Sequence, residues 1–419
     1  MHIIQILPEL NQGGVERGTV ELSRELVQRG HQSTVISAGG TLAGQIDNDG
    51  GQHITLDVCS KNPFTAPIRI LKLRRILHAL SSNTKRSGVR DQESGLGSQE
   101  PGVSAPQQPT TSNQQPFSQP SHSPATNNQQ PATSPLILHA RSRVPAWLCH
   151  FANKKLRIPF ITTVHGFNSV SKYSEIMLRG DRVIYGSSAI KDYILKNYSI
   201  DESKLRYVPR GIDMIHFDPE TVDNDFIRDF KQRYGLEGKT VITIVGRITE
   251  WKGHDTFIRA LAEVQKTHPE VVGVVAGGIW HGKKDFFQGL EKLAKELGAN
   301  ICFTGSQTQV RDVYALSDLV VSAASTKAET FGRTAAEALA MNRPVIASAH
   351  GGSLDILIDG ENGFFFPPKD HKALAEKIFQ SLEFDFSNLR KHIEKNFSLD
   401  RMTEDELAVY QEVQQPNRP

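Results

Sequence analysis

Cysteine is scarce in this chain of 419 residues, and Cys59, Cys149 and Cys302 stand far apart. They form no Cys-x-x-Cys pair, so neither a zinc site nor a disulfide framework is indicated, and a reducing cytoplasm is the simplest setting. Long apolar runs are lacking too. No stretch of about 18 apolar residues occurs, so no transmembrane helix is expected. The opening run from Met1 to Leu7 is too short for a signal peptide and reads as a first strand. Net charge is only +2, which removes the electrostatic case for a nucleic-acid partner. Between Ser81 and Pro135 apolar residues almost vanish; Ser, Gln, Pro, Asn, Thr and Gly dominate, and Phe117 is the one aromatic. Such a stretch buries too little to offset the entropy of ordering, so it is expected to be a disordered insertion carried on the surface.

The remaining residues alternate strand and helix patterns in two sets. The first runs from strand 2–7 and helix 15–29 through strands 32–37, 136–140, 160–164 and 183–185. The second starts at strand 241–245 and continues through helix 254–267, strand 271–276, helix 285–297 and strand 301–304. Repeated β-α units of this kind predict an α/β protein of two Rossmann-like, doubly wound domains facing a cleft. The expected division is 1–215 and 216–395, with a linker near 213–230. A last helix lies in 396–419 and can pack back on the first domain.

The second set carries the densest chemistry. Glu329 and Glu337 bracket Thr330-Phe331-Gly332-Arg333. A buried strand, 318–323, precedes the first carboxylate; an Ala-rich helix, 332–341, holds the second and is stopped by Asn342-Arg343-Pro344. Glu329 thus sits at the carboxyl end of a strand, where open α/β sheets bind ligands. Glu337 follows two turns into the helix, within reach of the same crevice. The N–H groups opening that helix can meet an anion. Earlier in the set, strand 241–245 ends in Gly246-Arg247, with Lys252-Gly253 five positions on. A guanidinium and an ammonium emerging together suit a diphosphate. The segment 303–310, ending another strand, can frame a base. In the first set, Gly13-Gly14 joins the first strand to the first helix, and glycines there permit positive φ and close backbone approach. The third glycine of a dinucleotide fingerprint is missing. An Asp-x-Asp clamp for a metal-bound diphosphate is expected nowhere in the chain, so no metal and no cofactor are expected; Arg247 and Lys252 stand in for the cation.

Gly246-Arg247 with Lys252-Gly253, and Glu329 with Glu337, resemble the retaining nucleotide-sugar glycosyltransferases of the GT-B fold, family 4. Gly13-Gly14-Val15-Glu16, the strand end Thr163-Val-His165-Gly166 and Pro209-Arg-Gly211-Ile-Asp213 are similar to the same family. The resemblance spans nearly everything outside 81–135. His139-Ala-Arg141-Ser-Arg143-Val-Pro-Ala-Trp147 looks like members that build lipopolysaccharide core or related bacterial surface glycans.

The resemblance implies roles. Glu329 would contact hydroxyls of the donor sugar and Glu337 those of the ribose. Arg247 and Lys252 would hold the diphosphate, helped by amides around Phe331 and Gly332 and by the backbone at Gly13 and Gly14. His165 would face the reacting sugar from the first domain, and Arg141 and Arg143 would meet a phosphorylated acceptor. Arg333 would touch donor phosphate or only solvent. Two departures stand out: Asp355 where the family more often has Glu, and Arg210 where many members have Asn. The expected partners are a nucleotide-sugar donor and a glycan or lipid-linked acceptor, with no nucleic acid. Helix 68–80, with Arg69, Lys72, Arg74 and Arg75 beside Ile and Leu, suits peripheral contact with the inner face of an anionic membrane or an ordinary solvated face. A catalytically silent nucleotide-sugar-binding or scaffold protein and a nucleotide-sugar epimerase remain as alternatives.

Overall fold

The computed structural model describes residues 1–11, 13–86 and 134–414. They form two parallel sheets with helices on both faces. The first sheet is built from β1 (His2–Ile6), β2 (Gln32–Ser37), β3 (Gln52–Thr55), β4 (Leu136–Ala140), β5 (Phe160–Val164), β6 (Arg182–Tyr185) and β7 (Leu205–Tyr207). The second comprises β8 (Thr240–Val245), β9 (Val271–Ala276), β10 (Ile301–Gly305), β11 (Leu319–Ser322), β12 (Val345–Ser348) and β13 (Gly363–Phe366). The helices of the first half are α1 (Gly14–Gln28), α2 (Ala43–Asn48), α3 (Ala66–Arg86), α4 (Arg143–Asn153) and α5 (Ser188–Asn197). Those of the second half are α6 (Asn224–Tyr234), α7 (His254–Val264), α8 (Lys284–Leu297), α9 (Val310–Ala315), α10 (Arg333–Ala340), α11 (Ser353–Ile356), α12 (His371–Leu382), α13 (Leu389–Phe397) and α14 (Leu399–Gln414).

Strand order is β3-β2-β1-β4-β5-β6-β7 in one sheet and β10-β9-β8-β11-β12-β13 in the other. The expected fold class therefore holds. Both orders reverse direction once, between β1 and β4 and between β8 and β11, and each reversal opens a crevice at the carboxyl ends of the strands. Central strands such as β1, β5, β9 and β11 are buried along their whole length, as strands covered on both faces must be.

The chain passes between the two sheets twice. Outbound it runs through 208–213, and it returns at 397–399 beside that segment. Ile212 donates to the Phe397 carbonyl at 2.8 Å, and Leu399 donates to the Ile212 carbonyl at 2.8 Å. A Cβ on Gly211 would lie 2.5 Å from the Leu399 Cα, so only glycine allows the passes to touch. The returning α14 then lies on the first sheet, where Met402, Val409 and Tyr410 pack with Ile3, Leu22 and Leu26.

Several expectations need correction. The unstructured stretch was placed from Ser81, but α3 continues through Arg86; residues 87–133 of that stretch lie outside the described residues. The linker was drawn through 230, yet α6 begins at Asn224, with the Asp223 carboxylate capping it through Phe226 N at 3.0 Å. Strands β3 and β13 and helices α2, α12 and α13 were not anticipated. Among the described residues, no helix is long and apolar enough to cross a membrane.

Gly211→Ala forces backbone against backbone at the double crossing and should destabilise by about 1–3 kcal/mol. Thermal denaturation will show it as a melting midpoint a few degrees below wild type; an unchanged midpoint would mean that the crossing yields at no cost.

Candidate active site

The loops that follow β8 and β11 carry Arg247, Lys252 and Glu329, and they bring the last two into contact. β8 is followed by Gly246, whose φ of 147° lies in a region closed to other residues. Arg247 then stacks its guanidinium over the Trp280 ring, 4.1 Å from the centroid. A short turn over Glu250–Lys252 carries Lys252 back, and Gly253 adopts φ 73° against the Ala323 carbonyl. The Lys252 ammonium thereby reaches the Glu329 carboxylate at 2.5 Å, with both side chains under one-fifth exposed. The Glu329 loop is held from behind, since Gly352 N donates to the Glu329 carbonyl at 2.8 Å and a Cβ on Gly351 would meet that carbonyl at 2.4 Å.

Gly332, at φ 94°, opens α10 without a side-chain cap, so its first N–H groups remain available. Glu337 is buried one turn further on. Its Oε1 accepts from Arg333 Nε at 2.7 Å and its Oε2 from the Tyr314 hydroxyl at 3.0 Å. Burial, and then the Glu337 charge, push the Tyr314 phenol well above its ordinary value, so it remains a donor. Each carboxylate oxygen keeps acceptor capacity for another hydroxyl. Arg333, only partly exposed, also pairs with Glu21 of α1 at 3.0 Å. It therefore ties the two halves of the protein together, a contact that the sequence reading did not foresee.

From the first sheet, β5 delivers His165 to a small cavity that Thr330 and Phe331 line from the other side. Its Nδ1 lies 3.5 Å from Arg210 Nη2. Arginine can only donate, so Nδ1 accepts and the proton sits on Nε2. That Nε2 is buried without a partner. Burial holds the imidazole well below its ordinary pKa, and the nearby Arg210 and Arg141 add to the shift, so His165 is neutral at pH 7. Two further contacts cross the cleft here: Ser187 Oγ donates to the Thr330 carbonyl at 2.7 Å, and Ser188 N donates to Asp355 Oδ2 at 2.7 Å.

Gly13 and Gly14 sit at the start of α1, but not for the anticipated reason. Gly13 is extended (φ −168°), a conformation open to any residue. Space is what demands glycine: a Cβ on Gly13 would lie 2.1 Å from Glu16 Oε2, and one on Gly14 would lie 2.6 Å from Arg210 Nη1. The two acceptor-side arginines part company. Arg141 is buried on the His165 cavity, with Nη1 on Gln5 Oε1 at 2.8 Å and Nη2 3.6 Å from Glu406. Arg143 turns away to Ser169 and Ser174 at 3.3 and 3.2 Å.

Glu406 was missed altogether. It comes from α14, more than two hundred residues from its neighbours in the first sheet, and no local pattern announces such a contact. Two Asp-x-Asp triplets do occur, contrary to the expectation of none: Asp47-Asn48-Asp49 ends α2 and Asp223-Asn224-Asp225 starts α6. Asp223 is bound to Phe226 N and Gln309. Among the described residues, no group of three His, Cys, Asp or Glu could hold a metal ion.

Residues 226–398 match the family model for glycosyl transferases group 1, and residues 86–215 match that for glycosyltransferase family 4. Spore coat protein SA of Bacillus subtilis (strain 168) is 26% identical over 297 residues, covering 66% of this chain and 78% of that protein. The lipopolysaccharide core biosynthesis mannosyltransferase LpcC of Rhizobium leguminosarum bv. viciae is 29% identical over 219 residues, covering 50% of this chain and 60% of its own. Among solved structures, a glycosyltransferase from Rickettsia africae ESF-5 matches over 100% of this chain and 99% of that one, with TM-score 0.78 and 29% identity. HepE of Anabaena, solved with UDP and glucose, shares the fold at TM-score 0.71 and 17% identity, covering 98% of this chain and 99% of its own.

His139, His165 and His254 are all held below the ordinary histidine pKa, in each case mainly by burial. The unfolded chain therefore takes up protons near pH 6.5 that the folded chain refuses, and stability falls as pH drops below that value. Each such histidine contributes up to about 1.4 kcal/mol per pH unit. Glu406, raised by burial, acts in the opposite direction at lower pH. Melting should therefore occur at lower temperature at pH 5.5 than at pH 7.5, and His165→Gln should shrink the difference.

Proposed function

The chain belongs to the group 1 glycosyltransferases, transferase enzymes of the GT-B fold, and from that premise we propose that it moves a sugar from a nucleoside-diphosphate sugar to a glycan or glycolipid acceptor, with retention at the anomeric carbon and without a metal ion. The observation that carries this reading is the contact of Lys252 with Glu329 at 2.5 Å, at the carboxyl ends of β8 and β11, with Arg247 on the same turn after β8. A cation and a carboxylate meet there, and a second cation stands on the same turn after β8.

In this reading residues 216–395 hold the donor and 1–215 the acceptor. The diphosphate lies against Arg247, Lys252 and the N–H groups opening α10, while Glu337 receives ribose hydroxyls and Glu329 those of the transferred sugar. As the bond from the anomeric carbon to the diphosphate breaks, negative charge grows on the leaving oxygen. Arg247 and Lys252 are fixed in place to meet that charge. The acceptor oxygen bonds to the same face of the carbon, and its proton passes to the departing phosphate oxygen, so no side-chain nucleophile is required. Neutral His165, with its proton on Nε2, donates to an oxygen of the transferred sugar. The two walls exclude water that would otherwise hydrolyse the donor.

The likeness to LpcC supports an acceptor in a bacterial surface glycan, and with it a cytoplasmic enzyme at the inner face of the membrane. The surface of α3 supports peripheral contact, although it differs from the one anticipated. Arg69 is buried on the Ser60 and Asn62 carbonyls, and Arg74 bonds to the Phe151 and Ala152 carbonyls. The exposed stripe is Phe64, Ile68 and Leu71 with Lys72 and Arg75, and neither α3 nor α4 contains an acidic residue.

With a panel of UDP, GDP and ADP sugars, one donor should release nucleoside diphosphate at a rate indifferent to EDTA. Lys252→Ala and Glu329→Ala should each lower that rate by about 100-fold or more. Each substitution leaves a part-buried charge without its partner, so the melting point should fall by a few degrees while the chain stays folded. Turnover that survives both substitutions would sink the assignment. Separately, the protein should float with vesicles containing anionic lipid and stay behind with neutral ones; Ile68→Asp with Leu71→Asp should abolish flotation.

A further inference from the structure

Three guanidiniums meet where the two walls approach, and their surroundings differ. Arg333 is neutralised by Glu21 and Glu337 at 3.0 and 2.7 Å. Arg141 faces Glu406 at 3.6 Å and Gln5 at 2.8 Å. Arg210 has no such partner. Among the described residues, its one hydrogen bond is the 3.5 Å contact to His165 Nδ1, and no carboxylate forms an ion pair with it. Glu16 and Glu21 act on it only from a distance.

The position of Arg210 is built. It follows β7, it lines the cavity shared by His165, Thr330 and Phe331, and its Nη1 occupies the space a Cβ on Gly14 would fill, 2.6 Å away. The guanidinium therefore lies over the first turn of α1, a helix of 15 residues whose N-cap, Gly13, offers no side-chain hydrogen bond. Unpaired N–H groups at a helix start carry partial positive charge. A cation is thus set beside a positive helix end, with Arg141 and Arg333 near enough to raise the local potential further. Burial, followed by those two charges, pulls the Arg210 guanidinium down to about 10, an uncommon strain for arginine. A cation kept partly desolvated and without a counter-charge lowers stability, and such an arrangement persists where a ligand supplies the missing charge.

We propose that Arg210, lying over the first turn of α1 beside His165, forms a subsite for an oxyanion, a phosphate or carboxylate group, on the first-domain side of the cleft. The inference rests on the proposed transferase reading and adds to it a residue where the chain departs from its family. The oxyanion has two sources, the donor diphosphate reaching across from Arg247 and Lys252 or an anionic group on the acceptor. Glu16, whose carboxylate folds back over Gly13, is the acid that the incoming group displaces from the helix start.

The test uses the full chain and Arg210→Met, which keeps bulk and removes charge. The variant should melt above wild type, since a cation without a counter-charge has been removed; a lower melting point would assign Arg210 a structural role and overturn the proposal. Calorimetry then compares nucleoside diphosphates with their nucleosides. A loss of about tenfold or more for the diphosphate alone places the oxyanion on the donor. If diphosphate binding is unchanged, inorganic phosphate is titrated into the diphosphate-saturated proteins: uptake by wild type that is absent from the variant places it on the acceptor. No difference in either titration overturns the subsite. Wild type that binds no nucleoside diphosphate would sink the transferase reading, and phosphate titrated into the ligand-free proteins would still decide the role of Arg210.

Discussion

The double crossing at Ile212 and Phe397–Leu399 is the constraint on which the rest of the molecule depends. Two backbone hydrogen bonds of 2.8 Å join the passes, and Gly211 removes the side chain that would hold them apart. A single tether would let the two sheets drift; paired tethers restrict how they can turn. The return also delivers α14 to the first sheet, so the chain's last helix completes the first domain's core rather than the second's. Glu406 and Tyr410 reach His139 and Arg141 only because of that return. The ordering of the first-domain wall is therefore coupled to a segment that follows the whole second domain.

Across the gap so defined, polar contacts do the joining. Arg333 links Glu21 on α1 to Glu337 on α10, Ser187 reaches the Thr330 carbonyl, and Asp355 takes the start of α5. Each involves the loop and helix that follow β11 or the glycine turn behind them. Charge-assisted contacts of this kind are directional and, where water enters, individually weak, which suits a gap that must open for a ligand. Apolar clusters form the cores of the two halves; the cleft itself is lined with ions whose partners can change.

Much of this was legible in the sequence because it is local. Strands covered on both faces read as apolar runs, so 32–37, 136–140, 160–164 and 271–276 were placed to the residue. Glu329 and Glu337, and Arg247 and Lys252, were visible as spaced pairs beside strand ends. Legibility failed where the cause is distant. β3 has a half-exposed sequence, Gln-His-Ile-Thr, and becomes a strand through its pairing with β2. Arg333 looked like a surface residue because Glu21 lies 312 positions away. The Gly13-Gly14 pair was noticed for the wrong property, since the side chains of Glu16 and Arg210 that fill its space belong to tertiary structure. The two Asp-x-Asp triplets were overlooked although they are local; both lie at helix ends.

The contact between Lys252 and Glu329 has a consequence for how a donor would be read. In the structure each neutralises the other at 2.5 Å. A diphosphate approaching Arg247 competes for the Lys252 ammonium with two negative charges against one. When it wins, Glu329 loses its cation while still held by the Gly351-Gly352 turn, and a part-buried carboxylate without a partner is costly. Hydroxyls of a sugar attached to that diphosphate relieve the cost; a bare nucleoside diphosphate does not. On the proposed reading, recognition of phosphate and of sugar would be one exchange of partners, and a preference for an intact donor over the spent nucleotide would follow from a single ion pair.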